Sequence, residues 1–165
     1  MVKTLKIVPC LWFANQAEEA ANYYVSIFKH AKITKVTHYG TEGQEIHGQP
    51  PGSVLTVEFE LDGQPFTALN GGPVFKFNEA VSLQVMCGNQ DEVDHYWSRL
   101  SDGGDPAAQQ CGWVKDKYGL SWQVVPTVLA ELLEDQKSDG SKRAMAAMLK
   151  MKKLDIEQLK RAYAG

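Results

Sequence analysis

The chain has 165 residues, of which 44% are hydrophobic and 22% charged, with a net charge of −3. These values describe an ordinary globular protein, one domain or two small halves sharing a core. They exclude a transmembrane helix, because no stretch approaches the ~20 apolar residues that a span needs. Three Cys without C-x-x-C spacing argue against a disulfide framework and for a reducing compartment. The first six residues run into a strand pattern with no apolar signal region or cleavage site, so a cytoplasmic location is expected. Charge is uneven: residues 137–165 hold 8 basic and 3 acidic residues, the remainder 9 and 17. The basic segment reads as a charged helical face set against an acidic body, in this chain or a partner. Nucleic-acid binding is the distant alternative, since aromatic interleaving and a dense Arg cluster are missing.

In chain order, residues 5–13 read as a strand, with Ile7, Pro9, Leu11 and Phe13 on one face and Val8, Cys10 and Trp12 on the other. Asn15 and Glu18 have nearly the spacing of a capping box and predict a helix start. Ala17, Ala20, Ala21, Tyr24 and Phe28 form its apolar stripe. Residues 31–40 read as a second strand and 41–52, rich in Gly and Pro, as a loop. In residues 53–61, Leu55, Val57, Phe59 and Leu61 alternate with Thr56, Glu58 and Glu60, the mark of a half-buried strand. Asp62-Gly63 is a hairpin signal. Residues 64–70 return as a fourth strand, which stops at Gly71-Gly72-Pro73.

The pattern then restarts. Residues 80–88 read as a strand with Val81, Leu83, Val85 and Cys87 opposed to Ser82, Gln84 and Met86. Asn89 and Glu92 repeat the cap, and Val93, Tyr96, Trp97 and Leu100 repeat the helical stripe, which places Trp97 in the core. Gly103-Gly104 ends that helix. A strand or loop leads into residues 111–126, a β-hairpin with turn chemistry from Asp116 to Gly119. Leu120, Trp122 and Val124 share one face, Ser121, Gln123 and Val125 the other, and Pro126, which has no N–H, ends the ladder. Its aromatics are either sheet core or the wall of a pocket. The order β-α-β-β-β therefore occurs twice, with Asn-Gln opening both helices, which suggests an internal duplication. After Pro126 the chain turns helical, with Met145, Met148 and Met151 three apart as adaptable packing or as the seam of a pocket or dimer. The expected organisation is one domain: a first module over 1–78, a second over 79–126 and a helical tail over 127–165.

Leu69-Asn70-Gly71-Gly72-Pro73 with Phe75 and Phe77-Asn78, Glu92-Val93-Asp94 with Trp97, Cys111-Gly112-Trp113 through Gln123-Val124-Val125-Pro126, and Lys153-Leu154-Asp155-Ile156 in the tail resemble the PhnB-like branch of the vicinal-oxygen-chelate superfamily. That superfamily includes glyoxalase I, extradiol dioxygenases and bleomycin-resistance proteins. The branch is often labelled the 3-demethylubiquinone-9 3-methyltransferase domain. The resemblance covers nearly the whole chain. It implies an α+β fold in which tandem β-α-β-β-β modules form two curved four-stranded mixed sheets around a cavity, with added C-terminal helices and assembly as a homodimer. Metal enzymes of the superfamily place His, Gln or Glu at four inward strand positions, which fall here on Val8, Ala68, Ser82 and Gln123. Only Gln123 ligates well, so no metal is expected. His30, His38, His47 and His95 show neither H-E-x-x-H nor H-x-H spacing. The turn after the first strand, Ala14-Asn15-Gln16, lacks the glycines of a usual S-adenosylmethionine cradle, so no cofactor is expected.

On that reading the concave face carries Cys10, Trp12, Asn70, Ser82, Gln84, Ser121 and Gln123, with Trp113 and Tyr118 near the rim. This neutral, hydrogen-bonding and aromatic lining suits a small, partly planar ligand. Cys10 has no predicted His neighbour and is expected to be an inert thiol. Gln123 and Asp116 are the candidate catalytic residues, although an Asp in a tight turn more commonly accepts backbone hydrogen bonds. The expected function is metal-independent binding of a small molecule. The alternative is an enzyme acting on a small aromatic or amphipathic substrate through Gln123, Asn70 and Asp116. Neither nucleic acid nor membrane is expected as a partner.

Overall fold

The structure is a computed structural model that describes residues 5–165. Residues 1–4, which the sequence reading places ahead of the first strand, lie outside the described residues. The chain divides into two units, Met1–Lys76 and Phe77–Gly165.

The first unit contains β1 (Cys10–Phe13), α1 (Ala17–Ile27), β2 (Lys32–His38), α2 (Gln44–His47), β3 (Val54–Leu61) and β4 (Gln64–Asn70). Its sheet runs β1-β4-β3-β2, with β1 parallel to β4 and the other pairs antiparallel. The alternation in β3 and β4 buries Val57, Phe59, Leu61, Phe66 and Ala68. Ala17, Ala20, Ala21, Tyr24 and Ile27 of α1 cover them; the Tyr24 ring stacks on Phe59, which stacks on Phe66 at 5.4 Å. Ile27 takes the buried place expected for Phe28, which is the extended C-cap and only half-buried. Asp62 (φ 48°) and Gly63 (φ 81°) close the β3–β4 hairpin in the left-handed conformation that a two-residue turn requires.

Further local expectations are corrected in this unit: the segment 41–52, read as a loop, contains the single turn of α2. The first strand covers only Cys10–Phe13, because Pro9 has no N–H for the ladder with β4; its carbonyl still accepts from the Thr67 N–H at 2.9 Å. The expected Asn15 cap is also absent, since the N-cap is Gln16 and makes no side-chain bond. Asn70, at the end of β4, does the capping instead. Its Oδ1 accepts from the Ala17 N–H at 2.8 Å, its Nδ2 donates to the Val54 carbonyl at 3.1 Å, and its own carbonyl accepts from the Tyr39 hydroxyl.

The second unit contains β5 (Ser82–Cys87), α3 (Gln90–Ser101), a 3₁₀ turn (Pro106–Ala108), β6 (Trp113–Lys115), β7 (Ser121–Pro126), α4 (Val128–Leu132), α5 (Asp139–Met148) and α6 (Ile156–Ala164). Its sheet runs β5-β7-β6, with β5 parallel to β7 and β6 antiparallel to it. The second sheet thus has three strands among the described residues, not the four expected. Gly103 (φ 73°) and the Pro106 turn break the intervening segment, which retains a single bridge between Gln110 and Trp113. The cap of α3 forms as its sequence suggests: Asn89 Oδ1 accepts from the Glu92 N–H at 2.9 Å, and Glu92 Oε2 accepts from the Gly88 N–H at 2.7 Å. A three-stranded sheet covers less of its helix, so only Val93 and Leu100 of α3 are buried; Trp97 is half-buried, outside the core expected for it.

The tail packs onto this unit around Leu129, Leu132, Ala144, Leu154 and Leu159, with Met148 and Met151 against the cluster and Met145 exposed. The chain after α5 lies along the hairpin: Cys111 N–H donates to the Met151 carbonyl at 2.9 Å and Gly112 N–H to the Lys152 carbonyl at 2.8 Å. Gln90 holds the start of α6 by donating to the Leu154 carbonyl and accepting from the Ile156 N–H, while Lys153 pairs with Asp94 at 2.6 Å. Two of the sequence motifs, Glu92-Val93-Asp94 and Lys153-Leu154-Asp155-Ile156, are therefore neighbours in space. No helix among the described residues is long and apolar enough to cross a membrane.

Asn70→Ala should lower stability by about 2 kcal/mol, because it uncaps α1 and leaves the Val54 carbonyl without its side-chain donor. Urea denaturation followed by circular dichroism checks this; an unchanged midpoint would refute the remote cap.

Candidate functional site

In the first unit, alternation turns Cys10 and Trp12 to the sheet face away from α1. There Cys10 lies beside Thr67 and Trp12 beside Leu69, followed by Glu58 and Thr56 on β3. The Trp12 indole donates to the Gly72 carbonyl at 2.9 Å and meets Phe75 edge-on at 4.9 Å. A Cβ on Gly71 would stand 2.2 Å from the indole, so the ring can lie on this segment only because it is glycine. Cys10 is exposed, and desolvation pushes its thiol above the ordinary range, which disfavours the nucleophilic thiolate. Asn70 is on the opposite, buried face, with its amide committed to Ala17 and Val54. Ala68 is also on the buried face beneath α1, not at the inward position expected of it, and Val8 is exposed ahead of β1.

In the second unit, the face away from α3 presents two rows across three strands. The parallel pairing sets Gln84 beside Gln123 and Ser82 beside Ser121, and the hairpin sets Trp113 beside Gln123 and Lys115 beside Ser121. Gln123 Nε2 donates to Ser82 Oγ at 2.8 Å, and Gln84 Nε2 donates to Gln123 Oε1 at 3.4 Å. Gln84 is exposed; Ser82, Gln123 and Trp113 are half-buried; Ser121 is buried. The opposite face holds Val85, Cys87, Val114, Trp122 and Val124 in the core. There the Cys87 thiol is pushed up to about 12, mainly by burial. The structure therefore brings together Ser82, Gln84, Trp113, Ser121 and Gln123.

Asp116 and Tyr118 stand apart from these rows, in the turn. The Asp116 carboxylate is buried and accepts from the Tyr118 N–H at 2.9 Å, the Leu120 N–H at 3.1 Å and the Trp122 indole at 2.8 Å. This is turn-closing chemistry in place of the acid–base role considered for it. The Tyr118 ring lies under the Lys117 ammonium at 5.4 Å. Sequence reasoning missed Lys115. Its signal was available, since a residue two positions from Trp113 on a strand shares its face. It missed Glu79 for a different reason, because the ion pair between Glu79 and Lys115 joins segments far apart in sequence.

The residues do not fit a catalytic divalent ion. No group of three or more His, Cys, Asp or Glu side chains placed to hold a metal ion occurs among the described residues, and the β5–β7 rows of the second unit offer neutral amides and hydroxyls. Nor do they fit an S-adenosylmethionine cradle. The turn after β1 has no glycine, and the first N–H of α1 is already taken by Asn70.

Residues 5–125 match the family described as 3-demethylubiquinone-9 3-methyltransferase; α4, α5 and α6 lie beyond the match. Among solved structures, the chain is similar to a PhnB protein from Bacillus cereus, at 32% identity over 74% of this chain and 100% of that one, with a TM-score of 0.63. It is also similar to a protein from Staphylococcus aureus, at 30% identity over 74% and 97% of the two chains with a TM-score of 0.33. Protein PA1353 from Pseudomonas aeruginosa shares the fold, at 17% identity over 74% and 98% with a TM-score of 0.56. A search of curated proteins gave no match. The family match spans most of the chain and includes both Leu69-Asn70-Gly71-Gly72-Pro73 and the Trp113 hairpin, so the chain belongs to the 3-demethylubiquinone-9 3-methyltransferase family, the PhnB-like branch of the vicinal-oxygen-chelate superfamily.

Proposed function

We propose that this protein binds a small, partly planar organic molecule on the polar face of β5, β7 and β6, without a metal ion. The observation that carries the reading is the hydrogen-bonded line Ser82–Gln123–Gln84 lying beside Trp113. A Gln amide has two acceptor lone pairs and two donor hydrogens, so this line retains hydrogen-bonding capacity for a ligand after its internal bonds are made. The half-buried indole beside it supplies a flat apolar wall. Neutral groups of this kind orient a molecule without demanding that it coordinate an ion.

Binding is favoured over catalysis because the candidate acid–base groups are committed elsewhere. Asp116 is saturated in its turn, and the Cys10 thiol is biased toward its protonated form. Methyl transfer, the activity in the family's description, requires a donor that these residues do not accommodate. A homodimer completes the proposal: Met145 and Leu149, four apart on one side of α5 and its end, are exposed apolar side chains available to a second copy. Three free cysteines suit a reducing, cytoplasmic setting.

Gln123→Ala should weaken binding of any compound that copurifies with the protein by about tenfold, the value of one well-placed hydrogen bond. Native mass spectrometry of the two proteins, purified side by side, tests this, and equal retention would refute the site. After dialysis, elemental analysis should find far less than one equivalent of zinc, nickel, manganese or iron, and chelator should leave the melting temperature unchanged. A stoichiometric metal would overturn the metal-free reading. Sedimentation at micromolar concentration should give the mass of two chains, whereas a single-chain mass would remove the dimer.

A further inference from the structure

The polar face of the second unit carries a cation at its edge. Lys115 lies across from Ser121, which in turn lies beside Ser82. Its side chain is only 23% exposed, and its ammonium pairs with the carboxylate of Glu79, whose side chain is 61% exposed. The partners are held unequally. The Lys115 backbone belongs to the β6 ladder and is pinned by Gly104, where even a Cβ would approach the Lys115 carbonyl to 2.0 Å. Glu79 sits on the open segment ahead of β5, outside any helix or strand. The Lys115 ammonium, mainly through the hydrogen bond it donates, holds the Glu79 carboxyl below its usual range.

An ion pair with one solvated partner contributes little net stability, because water competes for the carboxylate. A second anion that arrives with additional contacts therefore displaces that carboxylate at small cost. Trp113 and Lys115 are two residues apart on one strand, about 7 Å, so one small molecule spans both. We propose that Lys115 is the anion-receiving residue of this face and that Glu79 is its exchangeable counter-ion. The ligand would be a planar molecule bearing an acidic group, its flat part on Trp113 and its anion on the Lys115 ammonium in place of Glu79. This inference rests on the reading of the face as a binding site and adds the charge class of the ligand.

Naphthalene-1-sulfonate and naphthalene-1-sulfonamide are matched probes, one charged and one neutral. Their binding is measured by calorimetry and by the shift of the Trp113 indole N–H resonance, in wild type, Lys115→Met and the exposed-site variant Glu79→Gln. Wild type should bind the sulfonate about tenfold tighter than the sulfonamide, as a charge-assisted contact requires. Lys115→Met should erase that preference. Glu79→Gln should tighten sulfonate binding about threefold or more, by removing the competing carboxylate, and leave the sulfonamide unchanged. A sulfonamide that shifts Trp113 while the sulfonate binds no better overturns the anion proposal and leaves the binding face standing. The anion proposal falls equally if the preference survives in Lys115→Met, or if Glu79→Gln weakens the sulfonate, which would make the ion pair an anchor of its segment only. Failure of both probes to shift Trp113 counts against the face as well.

Discussion

The buried Asp116 carboxylate governs the part of the molecule on which the functional reading stands. A buried charge is tolerated only when its acceptor sites are filled, and here two backbone N–H groups and the Trp122 indole converge on one side chain. These charge-assisted bonds hold the turn between β6 and β7 in one conformation. The turn sets the register that places Trp113 opposite Gln123 and Lys115 opposite Ser121. A slip of one residue would exchange the two faces of a strand. Trp113 and Lys115 would then point into the core, and Val114 would stand where a ligand is expected. The acid that looked available for chemistry is thus committed to the turn that orients Trp113 and Lys115.

The two units solve a shared problem by different means. Each has a parallel strand pair, β1 with β4 or β5 with β7, and a helix packed on one side of its sheet. Each helix needs its first N–H groups satisfied. In α3 the solution is local, from Asn89 directly before the helix. In α1 it is remote, from Asn70, 53 residues further along the chain. A remote cap couples helix, strand and the Gly71-Gly72 segment on which Trp12 rests. That coupling gives the Leu69-Asn70-Gly71-Gly72-Pro73 motif a structural purpose apart from any ligand.

Family membership establishes the fold, and the chemistry has to come from the residues. The family's description speaks of methyl transfer, yet the turn after β1 is glycine-free and the helix behind it is capped from within. The superfamily uses convergent His, Gln and Glu to hold metals, yet the second unit presents a line of neutral amides and hydroxyls with a lysine at its rim. Hydrogen bonds, an indole and one positive charge are the groups on which the proposed recognition of a planar anion rests.

Much of this architecture was legible in the amino-acid order. The strands β3 and β4 were plain because side chains alternate with a period of two and Asp62-Gly63 supplies the conformations of their turn. The start of α3 was plain because a capping box acts within four residues. The Asp116 turn and the two faces of β7 followed from the same short-range rules. The remainder depended on contacts that no local pattern encodes. Asn15 and Asn70 are equally able to cap a helix, and the path of β4 decides which one does. Ala68 faces α1 because the pairing of β4 with β3 and β1 sets the parity of the strand. Among the described residues the second sheet has no fourth strand, because Gly103 and Pro106 turn the chain before it can pair. Glu79 meets Lys115, 36 residues away, only once β5 and β6 flank β7. Periodicity and caps reach as far as one turn or one ladder step, whereas the pairing of distant groups is set by which strands share an edge.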